Sequence, residues 1–168
     1  MQKLKNNYAF IDAQNLYLAI NELGWKLDYK KFRIYLKEKY GVGKAYMFMG
    51  FVSANQKLYV FLRRVGFVLI FKPTFASDDV RIKGNCDAEL VLQAMIDLEN
   101  YDKAVIVTGD GDFYCLVKYL NDHNKLLRVL APSLNNCSFL ITRITSNDKT
   151  SFVSQLREKL EYKKKRTP

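Results

Sequence analysis

The sequence has little of what a disulfide-bonded or zinc-binding protein needs. Its 168 residues contain three cysteines, an odd number without a C-x-x-C pair, and a single histidine, His123. Neither a disulfide framework nor a common zinc site can be built from this set, so we expect any bound metal to be held by oxygen atoms. A catalytic cysteine is also poorly supported, because the one imidazole lies at a predicted helix end beside Asp122. We therefore interpret His123 as a surface residue.

Long apolar runs and nucleotide-binding loops are absent as well. The apolar segments are too short to cross a bilayer, and residues 1–7 lack the apolar region and cleavage site of a signal peptide. There is no G-x-G-x-x-G and no Walker loop, which argues against binding of dinucleotides or nucleoside triphosphates. The length fits one domain with its own core. We expect a cytoplasmic protein that does not associate with membranes.

Positive charge is in excess and is unevenly placed. The formal net charge is +10, and residues 1–77 hold 13 Lys and Arg against 4 Asp and Glu, a net charge of +9. A basic surface suits binding of a polyanion, because Lys and Arg contacts to phosphates release counterions. Nucleic acid is the natural candidate, and a solvated basic surface that only aids solubility is the alternative that charge alone leaves open.

Apolar patterns predict an α/β fold. Five continuous runs rich in β-branched and aromatic residues indicate buried parallel strands at residues 8–11, 44–51, 67–72, 103–108 and 126–131. Between them, apolar stripes at helical spacing predict helices, one of them with Leu58, Phe61, Leu62 and Val65 on its apolar face. An extra helix is expected over residues 29–40, which Asp28 caps and Gly41 ends. A final helix is expected over residues 151–162, and residues 131–137, which contain Pro132 and two asparagines, are expected to form a loop. This alternation predicts a Rossmann-like domain, with a central, mostly parallel, five-stranded sheet flanked by helices.

Four acidic residues occupy the ends of these elements. Asp12 ends the first strand, Asp87 starts the helix that leads into the fourth, and Asp110 and Asp112 follow the fourth. In a doubly wound sheet, strand carboxyl ends and helix amino ends share one edge, so all four acids belong there. Like charges in one site raise one another's pKa unless a cation neutralises them, which favours a divalent metal.

Helix caps and a calcium-binding loop are two other interpretations of these acids. Taken singly, Asp12, Asp87 and Asp112 also stand where a helix N-cap is wanted. The D-G-D segment is not an EF-hand, because Tyr114 stands where the next ligand should be and no bidentate Glu follows. The metal-site interpretation gains from Asn15, which adds a neutral oxygen, and from Gly109 and Gly111, which we expect to let the backbone turn tightly.

Three motifs resemble the NYN domain family in its LabA-like branch: FIDAQNLY at residues 10–17, KGNCDAELV at 83–91 and VTGDGDF at 107–113. The resemblance covers roughly residues 7–160, so we expect a domain over residues 1–162 and a basic disordered tail over residues 163–168. It implies a PIN-like fold and a divalent-metal-dependent nuclease, with Asp12, Asn15, Asp87, Asp110 and Asp112 as the acidic metal site.

The resemblance leads to a specific expectation, an endoribonuclease that uses Mg²⁺ or Mn²⁺ to hydrolyse phosphodiester bonds in RNA, with single-stranded DNA as the other substrate. Asp12, Asp87 and Asp110 would bind the metal, Asp112 would be a further ligand or second-shell acceptor, and Asn15 would orient a carboxylate or water. The residues expected to contact substrate are Arg81, Lys83, Thr108, Arg63, Arg64 and Lys72.

Rival functions from other classes remain open at this point. One is a non-catalytic RNA-binding module or dimeric scaffold that keeps the acidic site for structural Mg²⁺, and a homodimer is open under either interpretation. Another is a phosphatase or receiver-like domain, which also has an aspartate after its first strand. Phosphatases of that architecture need a D-x-D motif there, and the segment from Asp12 to Gln14 lacks the second acid.

Overall fold

The structure is a computed structural model and describes residues 6–72 and 86–164. Within these residues the chain forms six strands: β1 (Asn7–Asp12), β2 (Val42–Gly50), β3 (Phe67–Lys72), β4 (Ala104–Val107), β5 (Leu126–Ala131) and β6 (Thr150–Phe152). They make one sheet in the order β3-β2-β1-β4-β5-β6, and every neighbouring pair is parallel. The predicted α/β fold class is confirmed.

The sheet has one strand more than the sequence predicted. β6 is three residues long and pairs with β5 at the edge of the sheet, where residues 151–162 were expected to form one helix. The segment instead continues as a 3₁₀ turn, Val153–Leu156, and a single helical turn, Arg157–Leu160 (α7). Its apolar residues fit either pattern over so short a stretch, and pairing with β5 decides between them.

The other six helices of the described chain are α1 (Ala13–Glu22), α2 (Tyr29–Tyr40), α3 (Gln56–Arg64), α4 (Asp87–Ile96), α5 (Tyr114–Asp122) and α6 (Phe139–Ile144). The predicted ends of α2 are confirmed, since the Asp28 side chain accepts a hydrogen bond from the backbone N–H of Lys31 and Gly41 has a left-handed backbone. None of these helices is both long and apolar enough to span a bilayer.

One predicted helix face was only partly correct. The stripe expected on α3 included Leu58, Phe61, Leu62 and Val65, but the structure buries Tyr59 and Leu62 and leaves Leu58 and Phe61 about two-fifths exposed. Tyr59 takes the core position because its hydroxyl accepts a hydrogen bond from the backbone N–H of Val52 at 2.9 Å. A buried tyrosine with a satisfied hydroxyl is as good a core residue as leucine.

The core consists of two apolar layers, one on each side of the sheet. Ala9 and Ile11 of β1 point to the layer covered by α1, α2 and α3, while Tyr8 and Phe10 point to the layer covered by α4, α5 and α6. The helix after β1 therefore covers one face and the helix after β4 covers the other. Because β1 and β4 are neighbours, a crevice opens between them at their carboxyl ends, where α/β sheets bind ligands.

Candidate metal centre

The predicted convergence of acids occurs at this crevice. Asp87 is the first residue of α4, Asp110 is the N-cap of the 3₁₀ turn (Gly111–Phe113) that follows β4, and Asp112 lies within that turn. Each of these three residues offers a carboxylate oxygen, and the three oxygens lie within 4.8 Å of one another. Such spacing lets three carboxylates share one ion. We call Asp87, Asp110 and Asp112 the acidic trio.

Asp12 stands beside the trio rather than in it. It caps α1, and its Oδ1 accepts a hydrogen bond from the backbone N–H of Asn15 at 3.1 Å. Burial raises the pKa of Asp12 to about 6; the hydrogen bonds from Asn15 and Thr108 lower it, and the charges of Asp87 and Asp110 raise it. The last effect places Asp12 in the electrostatic field of Asp87 and Asp110.

Thr108 links the two strands of the crevice. Its hydroxyl donates to Asp12 Oδ2 at 3.1 Å and accepts from the backbone N–H of Asp110 at 3.1 Å. The side chain is fully buried, and its only hydroxyl proton is used by Asp12. Thr108 therefore orients Asp12 and the turn after β4, and it does not offer the substrate contact that the sequence suggested.

Asn15 makes a second link across the same crevice. Its side-chain oxygen accepts a hydrogen bond from the backbone N–H of Gly109 at 2.9 Å. The first turn of α1 is thereby tied to the turn that carries Asp110 and Asp112. The metal ligands grouped by the structure are the three carboxylates of the trio. Asn15 contributes by fixing the turn that carries two of these carboxylates, those of Asp110 and Asp112.

Gly109 and Gly111, which alternate with Asp110 and Asp112, are needed for a different reason from the tight turn that was predicted. Neither Gly109 nor Gly111 has a positive φ. A Cβ on Gly109 would lie 1.6 Å from the carbonyl oxygen of Asn136, and a Cβ on Gly111 would lie 2.5 Å from Ser138 Oγ. The backbone N–H of Ser138 also donates to the carbonyl of Gly109 at 2.8 Å. The glycines therefore allow the loop before α6 to pack closely behind the acids.

Sequence reasoning missed the role of Asn136 and Ser138 at this site. Residues 131–137 were expected to be a loop, and nothing along the chain says that this loop touches the turn after β4. Ser138 does carry a local signal, since it precedes an apolar run and its hydroxyl accepts from the backbone N–H of Leu140 as the N-cap of α6. The contact of Ser138 with Gly111 arises because β4 and β5 are neighbours in the sheet, so that the segments after these two strands meet.

The helix-cap interpretation holds for only part of the set. Asp12 caps α1, and Asp110 Oδ1 accepts from the backbone N–H of Asp112 at the start of the 3₁₀ turn. The N-cap of α4 is Cys86 and that of α5 is Phe113, so Asp87 and Asp112 are not caps. Capping therefore does not explain why these two carboxylates lie against Asp110.

The donor set fits a hard divalent cation. All three ligand atoms of the trio are carboxylate oxygens, the type that Mg²⁺, Mn²⁺ and Ca²⁺ prefer. Cys86 adjoins Asp87, but burial raises the pKa of its thiol and so disfavours a thiolate ligand. His123 is exposed and stacked on Tyr119 at the end of α5, as expected of a surface residue.

The predicted substrate contacts are scattered. Lys72 ends β3 at the carboxyl edge, two strands from β1. Arg63 and Arg64 are exposed in the last turn of α3; the Arg63 guanidinium lies 5.7 Å from the ring of Phe71 in β3, and β2 separates β3 from β1. The structure therefore does not bring these two arginines to the trio. Arg81 and Lys83 lie outside the described residues, as do residues 165–168 of the expected tail.

Comparison with known proteins places the chain in a family. The NYN domain model matches residues 8–146, most of the chain. A crystal structure of a protein of unknown function from Vibrio parahaemolyticus RIMD 2210633 is similar, with a TM-score of 0.74 and 26% identity over 89% of this chain and 96% of that one. No functionally curated protein matches the chain.

Proposed function

Because the chain belongs to the NYN domain family, a family of PIN-like nucleases, we propose that it is a divalent-metal-dependent ribonuclease. The observation that carries the proposal is the acidic trio, whose three carboxylate oxygens lie within 4.8 Å of one another at the switch point of the sheet. We further propose that the enzyme cuts within RNA chains and uses Mg²⁺ or Mn²⁺.

Asp87, Asp110 and Asp112 would hold the ion. When bound, a divalent cation there would supply positive charge that stabilises a phosphodiester under attack and makes a nearby water more acidic. This assignment exchanges two expected roles, since Asp112 joins the ligands and Asp12 moves to a neighbouring position. Burial raises the pKa of Asp12 to about 6 in the metal-free protein, and a cation bound at the trio would lower that pKa and favour the carboxylate.

Thr108 and Asn15 act as positioning residues. Thr108 holds Asp12 Oδ2 and the backbone N–H of Asp110 together, and Asn15 holds the backbone N–H of Gly109. The turn after β4 is thereby fixed before substrate arrives, so little reorganisation is needed during the reaction. No histidine base is required, in agreement with the remote position of His123.

Basic residues outside the trio would bind the RNA backbone. Residues 1–77 carry most of the net positive charge, Lys72 lies at the carboxyl edge, and the sequence adds Arg81 and Lys83. We expect affinity to fall steeply with salt, and Lys83→Ala to weaken binding and make the log–log salt dependence shallower. A salt-insensitive affinity would remove the electrostatic part of this proposal.

The cleavage assay compares wild type with Asp110→Asn on labelled RNAs and DNAs, with Mn²⁺, Mg²⁺ or EDTA. We expect metal-dependent cleavage by wild type and a loss of at least ~10²-fold in rate for the variant, because stabilisation by the ion is worth several kcal/mol of barrier. Asp122→Asn is the control, since it removes an exposed acid of α5 that pairs with Lys118. The RNA and DNA arms decide the substrate class.

One outcome would end the nuclease proposal. If purified wild type binds RNA but cleaves it no faster than Asp110→Asn with any divalent ion, the domain is an RNA-binding or scaffold module. The LabA-like branch, the domain limits, a homodimer and a cytoplasmic location stay predictions from the sequence.

A further inference from the structure

An apolar pocket lies beside the acids on the other face of the sheet. It has a volume of about 390 Å³ and is formed by α1, the start of α2, the carboxyl end of β2 and α3. Three tyrosines and two methionines are among the residues of its wall: Tyr17, Tyr29, Tyr59, Met47 and Met49. This size and lining are typical of pockets that hold a small organic group.

The pocket adjoins the candidate metal centre through the chain itself. Ala13 and Gln14 line it and directly follow Asp12, and Tyr17 stands one helical turn after Ala13 on the same side of α1. Met47 and Met49 flank Phe48, which is paired with Asp12 in the sheet. A chain bound across the crevice at the trio would therefore have its neighbouring unit at the mouth of this pocket.

The lining selects a neutral, flat group. None of the twelve residues that form the pocket is charged, which disfavours a phosphate or an ionic peptide side chain. Tyr17 is 56% exposed, so its ring is open to stacking. Burial raises the pKa of Tyr29 to about 12, and this phenol therefore stays a neutral hydrogen-bond donor. Gln14 and Asn55 add exposed amides at the rim.

We propose that this pocket binds a nucleobase, with Tyr17 as the stacking ring. The inference rests on the proposed function for its biological substrate, an RNA whose phosphate lies at the trio while an adjacent base enters the pocket. Aromatic stacking together with amide hydrogen bonds to base edges is how proteins bind unpaired nucleotides. A free nucleotide carries the same base, and the chemistry recognised is the same.

The test measures binding without cleavage. A fluorescein-labelled single-stranded RNA of mixed sequence is titrated in EDTA with wild type, Tyr17→Ala, Tyr17→Phe and Tyr119→Ala. We expect Tyr17→Ala to weaken binding by roughly 5-fold to 100-fold, and Tyr17→Phe to restore it because the ring is retained. Tyr119→Ala is the matched control, since Tyr119 is also exposed but lies near the end of α5.

The outcomes separate this inference from the nuclease proposal. Equal affinity of wild type and Tyr17→Ala, or no RNA binding at all, overturns the base pocket whatever the cleavage assay gives. A Tyr17-dependent affinity supports it even if no divalent ion produces cleavage. Nucleoside monophosphates are added as competitors: displacement assigns the pocket to free nucleotides as well, and no displacement assigns it to bases within a chain. Thermal melts check that each variant is folded.

Discussion

Two aspartates, Asp12 and Asp28, cap neighbouring helices in the same way but have different surroundings. Each side chain accepts a hydrogen bond at 3.1 Å from the backbone N–H three residues on, at the start of α1 and α2. The second oxygen of Asp28 lies 4.0 Å from Lys31 Nζ, an opposite charge. The second oxygen of Asp12 accepts from the neutral Thr108 hydroxyl, and Asp87 and Asp110 add negative charge.

The comparison shows that a cap and a site residue can have the same local sequence signal. An aspartate before a helical pattern predicts an N-cap in both places, and both predictions agree with the structure. What distinguishes Asp12 is its place at the switch point, where β4 brings Thr108 and Asp110 beside β1. Its function therefore depends on the sheet order, while that of Asp28 depends on its own helix.

The largest expected difference between the two aspartates is in cleavage. Both change to asparagine with the N-cap retained, because Asn caps helices about as well as Asp. We expect Asp12→Asn to lower the cleavage rate by ~10²-fold or more, since it removes a charge beside the metal, and Asp28→Asn to leave it within about twofold. Rates on one labelled RNA with saturating Mn²⁺ measure this. Equal rates for the two variants would make Asp12 only a cap.

A smaller effect is expected on the pH dependence of stabilisation by metal. In the metal-free protein Asp12 has a pKa of about 6, above its ordinary value of 3.8, so the folded state retains a proton between these values that the unfolded chain has released. Its contribution to stability is present at low pH and is lost as pH rises through about 6. Metal binding is opposed by that proton, so the rise in melting temperature with Mn²⁺ should shrink below about pH 6.

Melting curves of wild type and Asp28→Asn with and without Mn²⁺, across this pH range, measure the effect. Both proteins should show the same decline, because Asp28 lies outside the site. If Mn²⁺ raises the melting temperature equally at every pH, or does not raise it at all, the charge of Asp12 is not linked to metal binding.

The smallest effect concerns the stability of the metal-free protein near neutral pH. Asp12→Asn removes a buried charge that two acids repel and also loses one hydrogen-bond acceptor. We therefore expect the free energy of unfolding to increase by about 1 kcal/mol. Asp28→Asn should change stability by less than about 0.5 kcal/mol, because its partner Lys31 is exposed. Urea unfolding in EDTA compares the stability of the two variants with that of the wild type, and the stability gained by Asp12→Asn should vanish near pH 4. A loss of stability for Asp12→Asn near pH 7 would contradict the electrostatic account.

The difference between local sequence signals and contacts of distant segments also explains which features the sequence could predict. Five of the six strands, the α2 caps and the shared edge of the acids follow from local patterns and the geometry of parallel sheets, and the structure agrees with them. The grouping of Asp112, rather than Asp12, with Asp87 and Asp110 could not be predicted, because it depends on ångström distances across the crevice. The close approach of Asn136 and Ser138 to the glycines also depends on contacts between distant segments, as does the burial of Tyr59.

The central claim is that Asp87, Asp110 and Asp112 hold the catalytic metal, and anomalous diffraction tests it most directly. Crystals of the wild-type protein soaked in Mn²⁺ should give an anomalous difference peak among the three carboxylates, and crystals of Asp110→Asn should give a much weaker one. A wild-type enzyme that cleaves RNA with Mn²⁺ but shows no manganese at the trio, or shows it elsewhere, would contradict the account.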